Sequence, residues 1–499
     1  MIVKALPRLP VGSINMLNLI DDFLNRTTMY RLVLYYLIVL ISAAAGLSYF
    51  HLLPFDSVAL ILSALFLYFF SGFINDFLAR LYHIPVNVES VYITALILAL
   101  IVAPAKSVTD FFFLGIVAII AMASKYILNI NGKHIFNPAA IAVVIAALFL
   151  NQPANWWVGN PYMLPFVIIG GLLVVRKIQR ENMVFSFILV AIIPFIGSAN
   201  TILFHSSLFF FAFVMLTEPL TSPPTKILQI IYGVLIGLLF NPNIHVGSIY
   251  STPELALVAG NIFSYLVSPK EKLLLPLKEK IKVANNTYDF IFPKNNLSFV
   301  PGQYMEWTLA HNHIDDRGNR RYFTIASSPT ENNIRLGVKF YEPASSYKKA
   351  LLAMSQSQKI VAGQRTGDFT MPSDRNKKLV FMAGGIGVTP FRSMLKYLID
   401  KNERRDIVVF YSNTNETEIA YKDVFDEAAQ KLGVKTHYIC TEKAGRINEE
   451  VIRQTVPDFS KRLFYLSGPH TMVAGFETLL KQMGIPANKI KTDFFPGYT

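Results

Sequence analysis

The stretch Gly384-Gly385-Ile386-Gly387-Val388-Thr389-Pro390 carries the clearest chemistry in this chain. Glycines lack a Cβ, so their backbone can approach a pyrophosphate closely. A helix starting near Pro390 would add free N–H groups and the positive end of its dipole. The apolar run Leu379-Val380-Phe381-Met382 predicts a strand just before the glycines. A glycine loop between strand and helix is where a dinucleotide's phosphates bind, although the spacing is not Gly-x-Gly-x-x-Gly. Two polar stretches interrupt otherwise apolar sequence, Asn131 to Ala140 and Thr217 to Thr225. Each mixes donors and acceptors with prolines that prevent a regular helix. Asn137, Thr217, Glu218 and Thr221 are therefore candidates for a cofactor clamp at membrane depth, a plain re-entrant turn being the alternative.

Other chemistry-bearing types say less. Strand Val408–Tyr411 runs into Ser412-Asn413-Thr414-Asn415-Glu416-Thr417-Glu418, with no Arg or Lys to meet a 2′-phosphate. That favours NADH, with Lys443 and Arg446 on a later loop as the remaining cationic candidates. Of nine histidines only His205 falls inside an apolar segment, so a bis-histidine haem is not expected. His311 and His313 read as solvated in a polar hairpin loop. Cys440 is the only cysteine, which excludes an internal disulfide and a cysteine-ligated iron–sulfur cluster. It reads as a small buried hydrophobe at a strand end.

The elements that must position these residues divide the chain near residue 268. It is 53% hydrophobic and 16% charged, against about 25% charged for an ordinary soluble domain. Residues 1–268 hold only 12 of the 46 Lys and Arg, so the net charge of +13 belongs mostly to the second half. Ten apolar segments are expected, at 31–50, 57–78, 87–104, 110–127, 136–151, 161–175, 183–197, 202–217, 227–241 and 251–268. Several are shorter than the roughly 17–25 residues of a full crossing. The loops expected on one side carry the Lys and Arg, with Lys106 the exception. This predicts ten crossings of a cell inner membrane with both termini and the second half in the cytoplasm. The domains read as an N-terminal segment 1–30, a transmembrane domain 31–268, a basic linker 269–282, a β-barrel 283–374 and an α/β domain 375–499. The linker suits a bilayer surface. No nucleic-acid module is recognisable. Short strands with turns suggest a small antiparallel barrel, and alternating strands and helices from Lys377 suggest a doubly wound parallel sheet.

The second half closely resembles the ferredoxin–NADP reductase family. The resemblance rests on Pro301-Gly302-Gln303-Tyr304, Arg321-Tyr322-Phe323-Thr324, Gly384 to Pro390, Ser467-Gly468-Pro469-x-x-Met472 and Asp493-Phe494-Phe495-Pro496-Gly497-Tyr498. It implies FAD, with Arg321 on the pyrophosphate, Phe323 over the isoalloxazine and Thr324 near N5. It also implies Tyr304 and Tyr322 beside the flavin, and Ser345 and Ser346 at a helix start facing its phosphates. Gly384, Gly385, Gly387, Thr389, Pro390, Gly468, Pro469 and Met472 would hold the nicotinamide nucleotide, with Ser467 in place of the family's Cys. Phe494 and Tyr498 would lie near the flavin.

The first half is similar to the family of membrane subunits shared by the sodium-pumping NADH:quinone oxidoreductase and the Rnf electron-transport complex. The matching segments are Gly132-Lys133…Phe136-Asn137-Pro138-Ala139 and Met215 to Pro223. That family's Ser-Gly-Ala-Thr attachment motif is missing, so any FMN or riboflavin here would be non-covalent. Together these imply a membrane oxidoreductase passing electrons from NAD(P)H through FAD to a quinone, an extracytoplasmic acceptor or a partner protein. The rivals are a redox-linked ion or solute transporter with a regulatory reductase domain, and a haem-dependent ferric-reductase-like enzyme.

Overall fold

The computed structural model describes residues 20, 24, 27–82, 88–130, 133–195, 207–268, 272–315 and 317–494. Helices occur over each of the ten apolar segments. They are α1 Met29–Tyr49, α2 Ser57–Tyr82, α3 Val88–Ile101, α4 Val108–Ile127, α5 Pro138–Leu150, α6 Leu164–Ile178 and α7 Glu181–Ala191, then the short run Leu208–Met215, and finally α8 Lys226–Leu239 and α9 Pro253–Val267. Among the described residues, only four are long and apolar enough to cross a membrane: α1, α2, α4, and α6 with the turn before it. The others stop early for local reasons. Asn137 caps α5 by accepting the Ala140 N–H, Pro138 sits in its first turn, and Asn151 ends it in the left-handed conformation. Residues 211–215 form a π-helical turn just before the Thr217 segment. Such turns arise where an extra residue is fitted into a helix.

Two glycines four apart bring α8 against α7. A Cβ on Gly233 would fall 2.5 Å from the Met183 carbonyl oxygen, and one on Gly237 2.9 Å from that of Phe187. Small residues at this spacing let helix backbones approach closely without a hydrophobic driving force. On the outer surface of α2, Phe69, Phe73 and Phe77 repeat every four residues and are well exposed, as an apolar solvent would require.

Strands already occur within the segment 269–282 expected as a linker. The basic segment after α9 contains strands β1 Lys272–Pro276 and β2 Glu279–Ala284. With β3 Thr287–Pro293, β4 Tyr304–Thr308, β5 Arg320–Thr324, β6 Asn333–Lys339 and β7 Lys359–Thr366 they make two antiparallel sheets, ordered β6-β3-β2 and β1-β7-β4-β5. The hydrogen-bond ladders of the described residues thus form two separate sheets where one closed barrel was expected. Helix α10 Ser346–Ala353 follows β6. Trp307, Phe290, Phe292 and Tyr347 are buried in the core between them.

Beyond lies a five-stranded parallel sheet of β8 Leu379–Gly384, β9 Ile407–Asn413, β10 Lys435–Cys440, β11 Leu463–Gly468 and β12 Ile490–Phe494, ordered β10-β9-β8-β11-β12. Every residue of the central strand β8 is buried. That is why Leu379–Ala383 reads as a continuous apolar run, not an alternating one. Helices α11 Thr389–Lys401, α12 Lys422–Leu432, α13 Glu449–Thr455 and α14 His470–Gln482 belong to this unit. Arg392 of α11 joins it to the antiparallel sheets by donating to the Ala326 carbonyl at 3.0 Å and pairing with Glu331.

The antiparallel sheets also touch the helical half directly. Thr366 Oγ1 donates to the Pro224 carbonyl at 2.6 Å, and the Lys226 N–H donates to Asp368 Oδ2 at 3.1 Å. Arg320 lies 5.0 Å from the Tyr30 ring centre at the start of α1. Tyr30 and Pro224 both belong to segments expected on the cytoplasmic side.

Candidate functional site

Strand β5 runs antiparallel to β4, with Tyr304 opposite Thr324, Glu306 opposite Tyr322 and Trp307 opposite Arg321. Side chains alternate along a strand. Arg321 and Phe323 therefore share one face, and Tyr304, Tyr322 and Thr324 the other. On the first face the Arg321 guanidinium lies 5.0 Å from the Tyr347 ring centre, and the Phe323 ring 6.2 Å from the same ring. Nη1 of Arg321 donates to the carbonyls of Arg317 and Arg320 at 2.7 and 2.6 Å, which fixes it under the preceding loop. On the second face Tyr304 and Tyr322 meet edge to face at 5.9 Å, and Tyr322 donates to Glu306 Oε2 at 2.9 Å. Thr324 is 3% exposed, and its hydroxyl has no hydrogen-bond partner among the described residues. A buried polar atom left so is costly unless something else satisfies it.

Ser345 and Ser346 do stand at a helix start. Ser345 caps α10, accepting the Lys348 N–H at 3.3 Å. The Ser346 N–H donates to Asp315 Oδ2 at 2.8 Å, and the Asp315 N–H donates to Ser346 Oγ at 3.0 Å. Burial pushes the Asp315 carboxyl up, but the Ser346 amide and Arg317 outweigh it and hold it at about 2. A carboxylate thus occupies the end of α10 that a phosphate would use. Sequence reasoning missed Asp315, since only the fold brings it 31 residues along the chain to Ser346. It also misjudged His311, which is half-buried with its ring nitrogens 3.0 Å from Leu309 O and from Ser346 Oγ. Cys440 ends β10 as expected but is only half-buried.

Asp493 stands near the end of β12; burial raises the Tyr304 phenol, and Asp493 is close enough to raise it further electrostatically. Its Oδ2 is shielded from solvent without a hydrogen bond among the described residues, and burial pushes its carboxyl up to about 7. Phe494 is the last residue of β12, and Tyr498 lies outside the described residues.

The two motifs assigned to the nicotinamide nucleotide come together. A Cβ on Gly387 would lie 2.5 Å from the Gly468 Cα and 2.6 Å from the Ser467 carbonyl oxygen, and one on Gly384 would lie 2.3 Å from Met472 Sδ. At Gly387 the obstruction is backbone and leaves no room for a side chain, while at Gly384 it is the movable end of Met472. Gly385 has φ +53°. Thr389 and Pro390 open α11, and Thr389 Oγ1 donates to the Ile386 carbonyl at 3.2 Å. Ser467 is buried beside Ala383 in the parallel ladder, and Pro469 precedes α14. Beyond the end of β9, Glu416 makes a solvent-exposed pair at 2.9 Å with Lys443, one of the two cations considered for a 2′-phosphate.

In the helical half, the four candidate residues all have hydrogen-bond partners within the fold. Asn137 Nδ2 and Thr221 Oγ1 each donate to Glu218 Oε2 at 2.9 Å. The Asn137 N–H donates to Asn261 Oδ1 at 2.8 Å, and Thr217 Oγ1 to the Phe213 carbonyl at 2.7 Å. Gly132 and His205 lie outside the described residues. Among the described residues no group of three or more His, Cys, Asp or Glu is placed to hold a metal.

Residues 381–478 match the oxidoreductase NAD-binding domain family. The chain is 24% identical over 220 residues to a flavohemoprotein of Halalkalibacterium halodurans, covering 40% of this chain and 52% of that protein. It is 27% identical over 219 residues to a flavohemoprotein of Rhodopirellula baltica, covering 40% and 53%. It thus spans about half the length of these curated relatives. Among solved structures, the flavohem-like FAD/NAD-binding domain of nitric oxide dioxygenase from Vibrio cholerae aligns with 44% of this chain and 98% of its own, at 16% identity and TM-score 0.40. Ferredoxin–NADP+ reductase from Plasmodium falciparum aligns with 45% and 97%, at 19% identity and TM-score 0.39.

Proposed function

We propose, from the premise that the C-terminal part of this chain is an NAD-binding oxidoreductase domain of the ferredoxin–NADP reductase family, that the whole chain is a membrane-bound, flavin-dependent NAD(P)H oxidoreductase. Its electrons would leave through the helical half toward a quinone, an extracytoplasmic acceptor or a partner protein. The observation that carries this reading is the buried Thr324 hydroxyl without a partner among the described residues, in the sheet that meets the helical half.

The residues present fit FAD. Arg321 would hold its pyrophosphate, Phe323 would cover its ring, and Thr324 would hydrogen-bond it. Ser345 and Ser346 would offer the α10 terminus once Asp315 moved aside. FAD bound there would supply two-electron uptake and one-electron release. Gly384, Gly387 and Gly468 admit a nicotinamide nucleotide close to the backbone, while Ser467 and Met472 form the wall beside it. NADH is the favoured coenzyme, because β9 ends without a cation.

The likeness of the first half to the Rnf and sodium-pumping membrane subunits supports electron entry into the helices. A non-covalent FMN or riboflavin between the 131–140 and 217–225 segments is the proposed carrier. It would have to replace the bonds that Asn137 and Thr221 now make to Glu218.

The test is rapid mixing of purified full-length protein with each coenzyme while following flavin absorbance. NADH should bleach it faster than NADPH. No bleaching by either sinks the oxidoreductase reading, and faster NADPH sinks only the preference. Flavin released by acid from the same preparation is then counted: two per chain supports the second carrier, and one rejects it.

A further inference from the structure

Arg180, in the turn between α6 and α7, is 8% exposed. Its Nη1 donates to Ser222 Oγ at 2.5 Å and to the Pro223 carbonyl at 3.3 Å, both neutral acceptors. Among the described residues it has no carboxylate at ion-pair distance. A buried charge without a counter-charge is expensive, and proteins retain one mainly where something else supplies the compensation. Arg320, the other arginine at this junction, differs: it lies 3.5 Å from Glu306.

The position of Arg180 says what the missing charge is. It grips Ser222 and Pro223, and the next residue, Pro224, accepts the Thr366 hydroxyl from β7. In the sheet Thr366 pairs with Tyr304, and Tyr304 with Thr324. The ladder of β7 slips its register between Gly363 and Thr366, and Gln364 in that slip takes φ +49°. This bulge is the local irregularity at the strand end that meets Pro224. A continuous path therefore links a buried cation in the helical half to the hydroxyl assigned to the flavin ring.

We propose that Arg180 is the positioning charge of the electron exit: its guanidinium, held only by neutral acceptors, compensates the negative charge that the flavin gains on reduction, and so raises the flavin's midpoint potential. The inference rests on the oxidoreductase reading above. NADH gives up a hydride and becomes NAD+, so the flavin gains two electrons, one proton and one unit of negative charge. A nearby fixed cation favours that state over the oxidised one, more strongly where water is excluded.

Spectroelectrochemical titration of full-length protein in lipid nanodiscs tests this. R180Q, which keeps a hydrogen-bond donor and loses the charge, should shift the FAD midpoint potential to a more negative value. R180K should restore it toward the wild-type value, which a purely structural role would not require. R180Q with full FAD content and an unchanged potential overturns the inference. If R180Q does not accumulate, T366V takes its place. It cuts the strand from Pro224, and if the potential neither falls nor changes its dependence on ionic strength when Arg180 is also replaced by His, the inference is overturned equally. A wild-type protein that holds no FAD, or is not reduced by NADH, overturns the oxidoreductase reading instead.

Discussion

At the residue scale, burial sets the charge of Asp493. Burial raises its carboxyl from the ordinary 3.8 to about 7. In the unfolded chain the group loses its proton near 3.8, while the folded chain keeps it until about 7. The folded state therefore binds more protons across this window, and stability falls as pH rises through it. Asp493→Asn removes the effect, since an amide does not titrate. Between pH 5 and pH 8 the wild-type protein should lose about 1–2 kcal/mol more than D493N, allowing for the partial exposure of the side chain. Thermal unfolding of both proteins at the two pH values checks this. Equal losses would mean that Asp493 ionises freely in the folded chain.

At the scale of elements, the contact that matters most is the one between the β8–α11 loop and the β11–α14 loop. Gly387 touches Gly468 so closely that a methyl group forces the loops apart. Gly387→Ala should weaken NADH binding by at least about tenfold, equivalent to roughly 1.4 kcal/mol, and leave the FAD content unchanged. Titrating flavin bleaching against NADH concentration, with flavin per chain as control, reads both. Unaltered NADH affinity would show that these loops do not receive the coenzyme. This unit was legible in the sequence because its signals are local: an apolar strand, glycines, and a proline opening a helix, within a dozen residues. The helical character of the apolar segments was legible for the same reason, but only four of them among the described residues are long enough to cross a membrane. What was not legible depends on distant partners. Arg180 looked like one of several loop cations until the fold buried it against Ser222, 42 residues away. The Thr217–Thr225 segment looked rich in unsatisfied groups, and no sequence pattern showed that Glu218 gathers Asn137 and Thr221 onto one carboxylate. Short helices misled in the other direction, because apolar runs do not reveal where an Asn cap or a π-helical turn ends them.

At the scale of the whole molecule, the start of α1 and the 217–226 segment meet the same reductase surface. Both segments therefore face the reductase, the arrangement expected for an even number of crossings between them. In a C440S background, a cysteine replacing Lys106 should react with an impermeant thiol reagent added outside intact cells. One replacing Lys278 should react only after permeabilisation. The reverse pattern would put the reductase outside the cell and away from reduced nicotinamides. The join between the halves has a kinetic meaning of its own. Helix α9 ends at Val267 and β1 starts at Lys272, so four residues separate a membrane-side helix from the sheet that touches Pro224. Four residues reach at most about 14 Å. A redox domain on a long flexible tether delivers electrons at a rate set by how often its swinging brings it home, and such a rate varies with linker length and solvent viscosity. With so short a connection and the Thr366–Pro224 and Lys226–Asp368 bonds, the proposed electron transfer to the helical half would cross a fixed gap, at a rate independent of solvent viscosity.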